Sequence, residues 1–131
     1  MHIQKTLLYI DDSQIDHDIL EFRQRAYRLF DHVDHYLDGR SAIKFLTEHR
    51  CNPSMLPDVI FVDLYMKGYD GWHFLDDYSR LAPYLIKHMN VYIISSSVDK
   101  NDIANAAKYK FVHGYLTKPV ILDGISKFDF Y

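Results

Sequence analysis

The chain has 131 residues, 48% apolar and 25% charged, which predicts one folded domain across 1–131 and excludes disorder along its length. The formal net charge of -3 argues against a protein whose main task is gripping a nucleic-acid backbone, which needs an excess of Lys and Arg. Cys51 is the sole cysteine, no stretch nears ~18 consecutive apolar residues, and no signal-peptide pattern opens the chain, so no disulfide, membrane insertion or export is expected and a cytoplasmic setting is.

Leu7-Leu8-Tyr9-Ile10 is a short apolar run that reads as a buried parallel strand and stops at Asp11-Asp12. Ser13, with Asp16 three residues on, looks like an acidic variant of a capping box. Ile15, Ile19, Phe22, Ala26 and Leu29 follow at steps of four and three, the spacing of one face of a helix. His32 to Leu37 is a second strand that Gly39 ends. Ala42, Phe45 and Leu46 mark a second helix, terminated by Asn52-Pro53.

Val59-Ile60-Phe61-Val62 is the third strand and stops at Asp63. A turn with Gly68 and Gly71 leads to a third helix through Phe74, Leu75, Tyr78 and Leu81, ending before Pro83. Val91-Tyr92-Ile93-Ile94 is the fourth strand and ends in Ser95-Ser96-Ser97. Asp99, followed by Asp102, caps a fourth helix through Ile103, Ala106 and Ala107. Tyr115-Leu116 is a short fifth strand, broken by Lys118-Pro119. Strand then helix, five times over, implies a parallel sheet with helices on both faces.

In open sheets of that kind, sites form beyond the carboxyl ends of the strands. The polar residues of this chain fall at those ends: Asp11-Asp12, Asp63, Ser95 and Lys118. Three carboxylates so gathered need a cation, and hard oxygen ligands favour Mg2+. Eight scattered histidines without HxH or HExxH spacing make zinc a poor fit. Lys118 can neutralise a phosphate, Ser95 can hydrogen-bond one, and a carboxylate attacking phosphorus forms an acyl phosphate. Each residue alone has an ordinary reading: Asp11 or Asp12 ahead of an N-cap, Asp63 opening a turn, the serines in a loop, Lys118 as a solvated surface lysine. Their order at four strand ends carries the functional reading.

These residues resemble response-regulator receiver domains, the CheY-like family of two-component signalling. The resemblance runs roughly from Thr6 to Val120. It is carried by Asp11-Asp12-Ser13, Asp63-Leu64-Tyr65-Met66 with Asp70-Gly71, Ser95, and Tyr115-Leu116-Thr117-Lys118-Pro119. It implies an α/β, doubly wound, five-stranded parallel sheet in order 2-1-3-4-5. It implies Asp63 as phosphoacceptor and a Mg2+ site of Asp11, Asp12, Asp63 and the Tyr65 backbone carbonyl. Lys118 takes the place of the phosphate-contacting lysine, Ser95 that of the hydroxyl that follows the phosphoryl group, and Tyr115 that of the switch aromatic.

The implied donor is a sensor histidine kinase or a histidine phosphotransfer protein, the target an unknown downstream protein, and the role that of a regulatory phosphoacceptor rather than a metabolic enzyme. A chain of this size without an effector domain suggests a shuttle or a phosphorelay intermediate. The alternative is a receiver-shaped interaction module that is not phosphorylated. A haloacid-dehalogenase-type phosphatase would need an Asp where Tyr65 stands. A flavodoxin-like FMN carrier would need a Ser/Thr/Gly-rich loop where Asp11-Asp12 stands.

The sequence departs from the family pattern in three places. Lys67 replaces the proline that usually follows the methionine, which predicts a less rigid loop and an added charge. Tyr109-Lys110-Phe111-Val112 replaces the usual Gly-Ala turn. Twelve residues follow Pro119, interrupted by Gly124, which predicts a short fifth helix.

Overall fold

A computed structural model of the protein describes residues 5–119. Strand β1 (Thr6–Ile10) leads into helix α1 (Gln14–Tyr27), then β2 (His32–Tyr36), α2 (Gly39–Glu48), β3 (Val59–Asp63) and α3 (Gly71–Leu81). A 3-10 turn (Ala82–Tyr84), β4 (Asn90–Ser95), α4 (Lys100–Ala106) and β5 (Val112–Thr117) complete the described chain. The strands form one sheet in order β2-β1-β3-β4-β5, each pair parallel. This is the expected doubly wound order. The fifth helix expected after Pro119 lies outside the described residues.

Side chains alternate across a strand, so the inner strands feed two cores. Leu8, Ile10, Ile60, Val62, Val91 and Ile93 pack on one face against Ala42 and Leu46 of α2, Phe74, Leu75 and Tyr78 of α3, and Ala106 of α4. Leu7, Tyr9, Val59, Phe61, Tyr92 and Ile94 point the other way, to Leu20 of α1 and to Phe30. Every residue of β3 and β4 is buried. That is why these strands read as continuous apolar runs rather than alternating ones.

Helix α1 departs from its expected packing. The helix forms where the spacing puts it, but Ile15, Ile19 and Phe22 are exposed, Phe22 by 77%. The residues turned inward are His17, Leu20 and Gln24. Both polar ones are satisfied. The Gln24 side chain exchanges hydrogen bonds with the backbone N–H and carbonyl of Phe30. The His17 ring is bonded at both nitrogens. A buried polar side chain fully hydrogen-bonded in this way escapes most of its desolvation cost.

Several boundaries shift from the sequence reading. Gly39 does not end β2; it is the first residue of α2, capped by Asp38, whose side chain accepts from the Ser41 N–H at 2.7 Å. Helix α2 stops at Glu48, ahead of Asn52-Pro53. Strand β5 begins at Val112, earlier than its apolar pair Tyr115-Leu116 suggested. As an edge strand it is only half-buried, and His113 and Gly114 break its apolar run. No helix among the described residues is long and apolar enough to cross a membrane.

Candidate functional site

The first acidic residue is held by its own strand and by α1. Asp11 is fully buried where β1 ends. Its Oδ1 accepts from the Ser13 N–H at 2.9 Å and its Oδ2 from the Tyr9 hydroxyl at 2.6 Å. His17 Nε2 lies 2.7 Å from the Asp11 carbonyl, which requires that nitrogen to be the protonated one. Tyr9 faces His17 with ring centroids 4.6 Å apart. Burial first, and then the hydrogen bond to Asp11, push the Tyr9 phenol far up, so it remains a donor. Burial pulls the His17 imidazole down.

Asp12 is exposed beside it and accepts from the backbone N–H of Lys67 at 3.1 Å. A proline at 67 would have no N–H to give. The departure at Lys67 therefore adds a tie between the β3–α3 loop and the acidic pair, where the sequence reading expected a looser loop.

Asp63 ends β3 and is 5% exposed. Its Oδ1 accepts weakly from the Tyr65 N–H at 3.4 Å, and its Oδ2 lies 3.3 Å from Lys118 Nζ. Burial and then the Asp11 charge push its carboxyl up to about 6, against the opposing pull of Lys118. Gly71 stands directly behind it. A Cβ there would lie 2.4 Å from the Asp63 carbonyl oxygen and 2.6 Å from Leu64 Cα. Gly68 takes a φ of 74° in the intervening turn, a backbone region that suits glycine.

Lys118 follows β5, next to Ser95, whose carbonyl accepts its backbone N–H at 2.9 Å. The ammonium lies 2.7 Å from Asp11 Oδ2, 2.7 Å from Asp16 Oδ2 and 3.3 Å from Asp63 Oδ2. Burial works against its charge, but the hydrogen bonds to Asp11 and Asp16 outweigh that and raise its pKa. Asp16, which sequence spacing marked only as a capping-box acid, also belongs to the site. Its backbone N–H donates to the Ser13 hydroxyl, as an N-cap requires, while its carboxylate turns to Lys118.

Ser95 is fully buried at the end of β4, and its Oγ accepts from the Ser97 N–H at 3.1 Å. Tyr115 is half-buried on β5 and donates its hydroxyl to the Ser97 carbonyl at 2.9 Å. Tyr65 projects outward, and its hydroxyl donates to Asp102 Oδ2 at 2.5 Å. Asp11, Asp12, Asp63, Ser95 and Lys118 thus all stand at one edge of the sheet.

Asp11, Asp12 and Asp63 can each offer a carboxylate oxygen within 4.8 Å of the others. An all-oxygen, all-carboxylate set of this kind fits a hard divalent cation.

The sequence matches the family model described as Response regulator receiver domain over residues 7–127. The chain belongs to this family. A two component response regulator from Cytophaga hutchinsonii shares 25% identity and a TM-score of 0.83, with 95% of this chain and 96% of that one covered. A response regulator receiver protein from Dyadobacter fermentans shares 26% identity and a TM-score of 0.78, covering 92% and 91%. The Mn2+-bound form of response regulator Rcp1 shares 25% identity and a TM-score of 0.71, covering 95% and 93%. A comparison with curated proteins found no match. The general function of the family is that of a phosphoacceptor in two-component signalling, and receiver domains generally bind Mg2+ at an acidic pocket.

Proposed function

We propose that this receiver domain is an active phosphoacceptor, with Asp63 as the residue that is phosphorylated. The observation that carries the reading is the shared environment of Asp63 and Lys118: a carboxylate at the end of a central strand, 3.3 Å from a mostly buried ammonium. Asp11 and Asp12 stand within ligand reach of it. A module with no phosphoryl chemistry would have no use for three carboxylates at one sheet edge, two of them buried.

In the proposed reaction an Asp63 carboxylate oxygen attacks the phosphorus of a phosphohistidine. The donor is a histidine kinase or a histidine phosphotransfer protein. The new O–P bond forms as the P–N bond breaks, and the electron pair returns to the imidazole nitrogen, which takes up a proton. Asp11, Asp12, Asp63 and the Tyr65 carbonyl would hold Mg2+, whose chemistry is to neutralise charge on the transferring phosphoryl oxygens. That the response regulator Rcp1 has a Mn2+-bound form supports divalent-ion binding by this chain as well. Lys118 binds a phosphoryl oxygen as a point charge. Ser95 supplies a hydroxyl to another oxygen, and Tyr115 moves with it, reshaping the surface around α4 and β5 for an unknown downstream protein. The setting is the cytoplasm, where such donors act.

The test is amide NMR of the protein with Mg2+ and beryllofluoride. Shifts should centre on residues 11, 12, 63–67, 95–97 and 115–118. Saturation with Mg2+ and beryllofluoride that leaves these residues unmoved would refute the reading.

A further inference from the structure

Three carboxylates compete for the Lys118 ammonium, and Asp63 is the one it reaches least closely. Asp11 is part of the acidic pair. Asp16 is not: it stands in the first turn of α1, outside the cluster of Asp11, Asp12 and Asp63, and its carboxylate has Lys118 as a hydrogen-bond partner 102 residues along the chain. Its side chain is 29% exposed, against 0% for Asp11 and 8% for Asp63. A negative charge is tolerated there because the N-terminus of α1 carries partial positive charge.

We infer that Asp16 is a positioning residue that holds Lys118 in its unphosphorylated place and opposes the phosphoryl group for it. The inference rests on the phosphoacceptor reading of Asp63. In the resting site the ammonium is shared, with Asp16 and Asp11 holding it at 2.7 Å. A phosphoryl group on Asp63 adds about -1.5 to -2 charges and three acceptor oxygens. Lys118 then has to give up Asp16 or divide its donors further. Removing the Asp16 charge takes away this competitor and one source of repulsion toward the incoming anion. The same removal makes the pocket less negative, so a divalent cation alone is attracted less.

The two effects have opposite signs, and a purely structural role at the helix N-terminus would not produce them together. Loss of the first-turn charge would weaken α1 and loosen both ligands alike. A positioning role strengthens one and weakens the other. Asp16 is partly exposed, so solvent screening keeps each effect to roughly three- to tenfold.

The experiment compares wild type, Asp16→Asn and Asp18→Asn. Asp18 is an exposed acid on the same helix, bonded to Gln14 and not among the three carboxylates that reach Lys118. Mg2+ affinity without phosphate analogue is read by calorimetry, and beryllofluoride affinity at saturating Mg2+ by amide NMR. Asp16→Asn is expected to bind beryllofluoride roughly three- to tenfold more tightly and Mg2+ severalfold more weakly, with Asp18→Asn unchanged in both. If Asp16→Asn binds beryllofluoride no better than wild type, or loses affinity for both ligands, the inference is overturned while the phosphoacceptor reading stands. If wild type takes up no beryllofluoride, both fall.

Discussion

The Tyr65 hydroxyl donates to Asp102 Oδ2 at 2.5 Å and so ties the loop after β3 to the first turn of α4. Ser97 Oγ donates to the same oxygen at 2.8 Å. The bond to Asp102 pushes the Tyr65 phenol up to about 12, which keeps it a donor at any ordinary pH. Tyr65 is also the residue whose carbonyl is proposed to face the cation. One residue therefore joins the loop after Asp63 to the helix expected to carry the output.

Tyr65→Phe keeps the ring and removes this tie. Hydrogen exchange across residues 99–106 of the unphosphorylated protein should become faster, with exchange in β1 and β3 unchanged. Unaltered protection of α4 would mean that the bond restrains nothing.

Burial, and then the Asp11 charge, push the Asp63 carboxyl up to about 6, above the ordinary carboxylate range. A raised folded-state value means that the stability tied to its neutral form is present below the unfolded value and is lost as pH rises through about 6. Asp63→Asn cannot ionise. In EDTA it should be more stable than wild type by about 2–3 kcal/mol at pH 7.5, and the gain should vanish only below the unfolded carboxyl value, by pH ~3. Urea unfolding at three pH values measures this. A constant difference across that range would contradict the assigned titration.

Lys118 is the cation that Asp11, Asp16 and Asp63 share. Lys118→Ala should destabilise the metal-free protein by about 3 kcal/mol, because it leaves buried carboxylates uncompensated. Mg2+ should restore part of that loss. The variant should still accept some phosphoryl group, yet lose the phosphorylation-dependent change in exchange across residues 99–117. Equal Mg2+ stabilisation in variant and wild type would count against the shared-charge account.

Gly71 leaves room for the backbone of Asp63 and Leu64. Gly71→Ala should cost about 1–3 kcal/mol through forced displacement of that backbone. It should also slow phosphorylation, since the strand end it displaces carries Asp63. Thermal unfolding and the rate of labelling by acetyl phosphate check both effects. Wild-type values in both would mean that α3 yields without moving the site.

The sheet was legible because Leu7–Ile10, Val59–Val62 and Val91–Ile94 are buried on both faces and leave unbroken apolar runs. The site was legible for a related reason: the runs stop abruptly at Asp11, Asp63 and Ser95. What spacing could not reveal is where polar side chains go. On α1 the apolar stripe of Ile15, Ile19 and Phe22 is exposed, while His17 and Gln24 turn inward because they find partners on Asp11, His35 and Phe30. No periodicity of hydrophobic residues contains that information. Asp16 fitted a capping pattern, and its backbone does take part in the cap; its carboxylate answers to a lysine that only the folded sheet brings near. Strand β5 was read short because an edge strand with one glycine and one exposed histidine lacks the run that marks an inner strand.

The central claim is that Asp63 accepts the phosphoryl group. Intact-mass spectrometry of wild type and Asp63→Asn after incubation with acetyl phosphate and Mg2+ tests it most directly. Wild type should gain the mass of one phosphoryl group, the gain should disappear in EDTA, and Asp63→Asn should gain nothing under either condition. Equal labelling of Asp63→Asn and wild type would contradict the account.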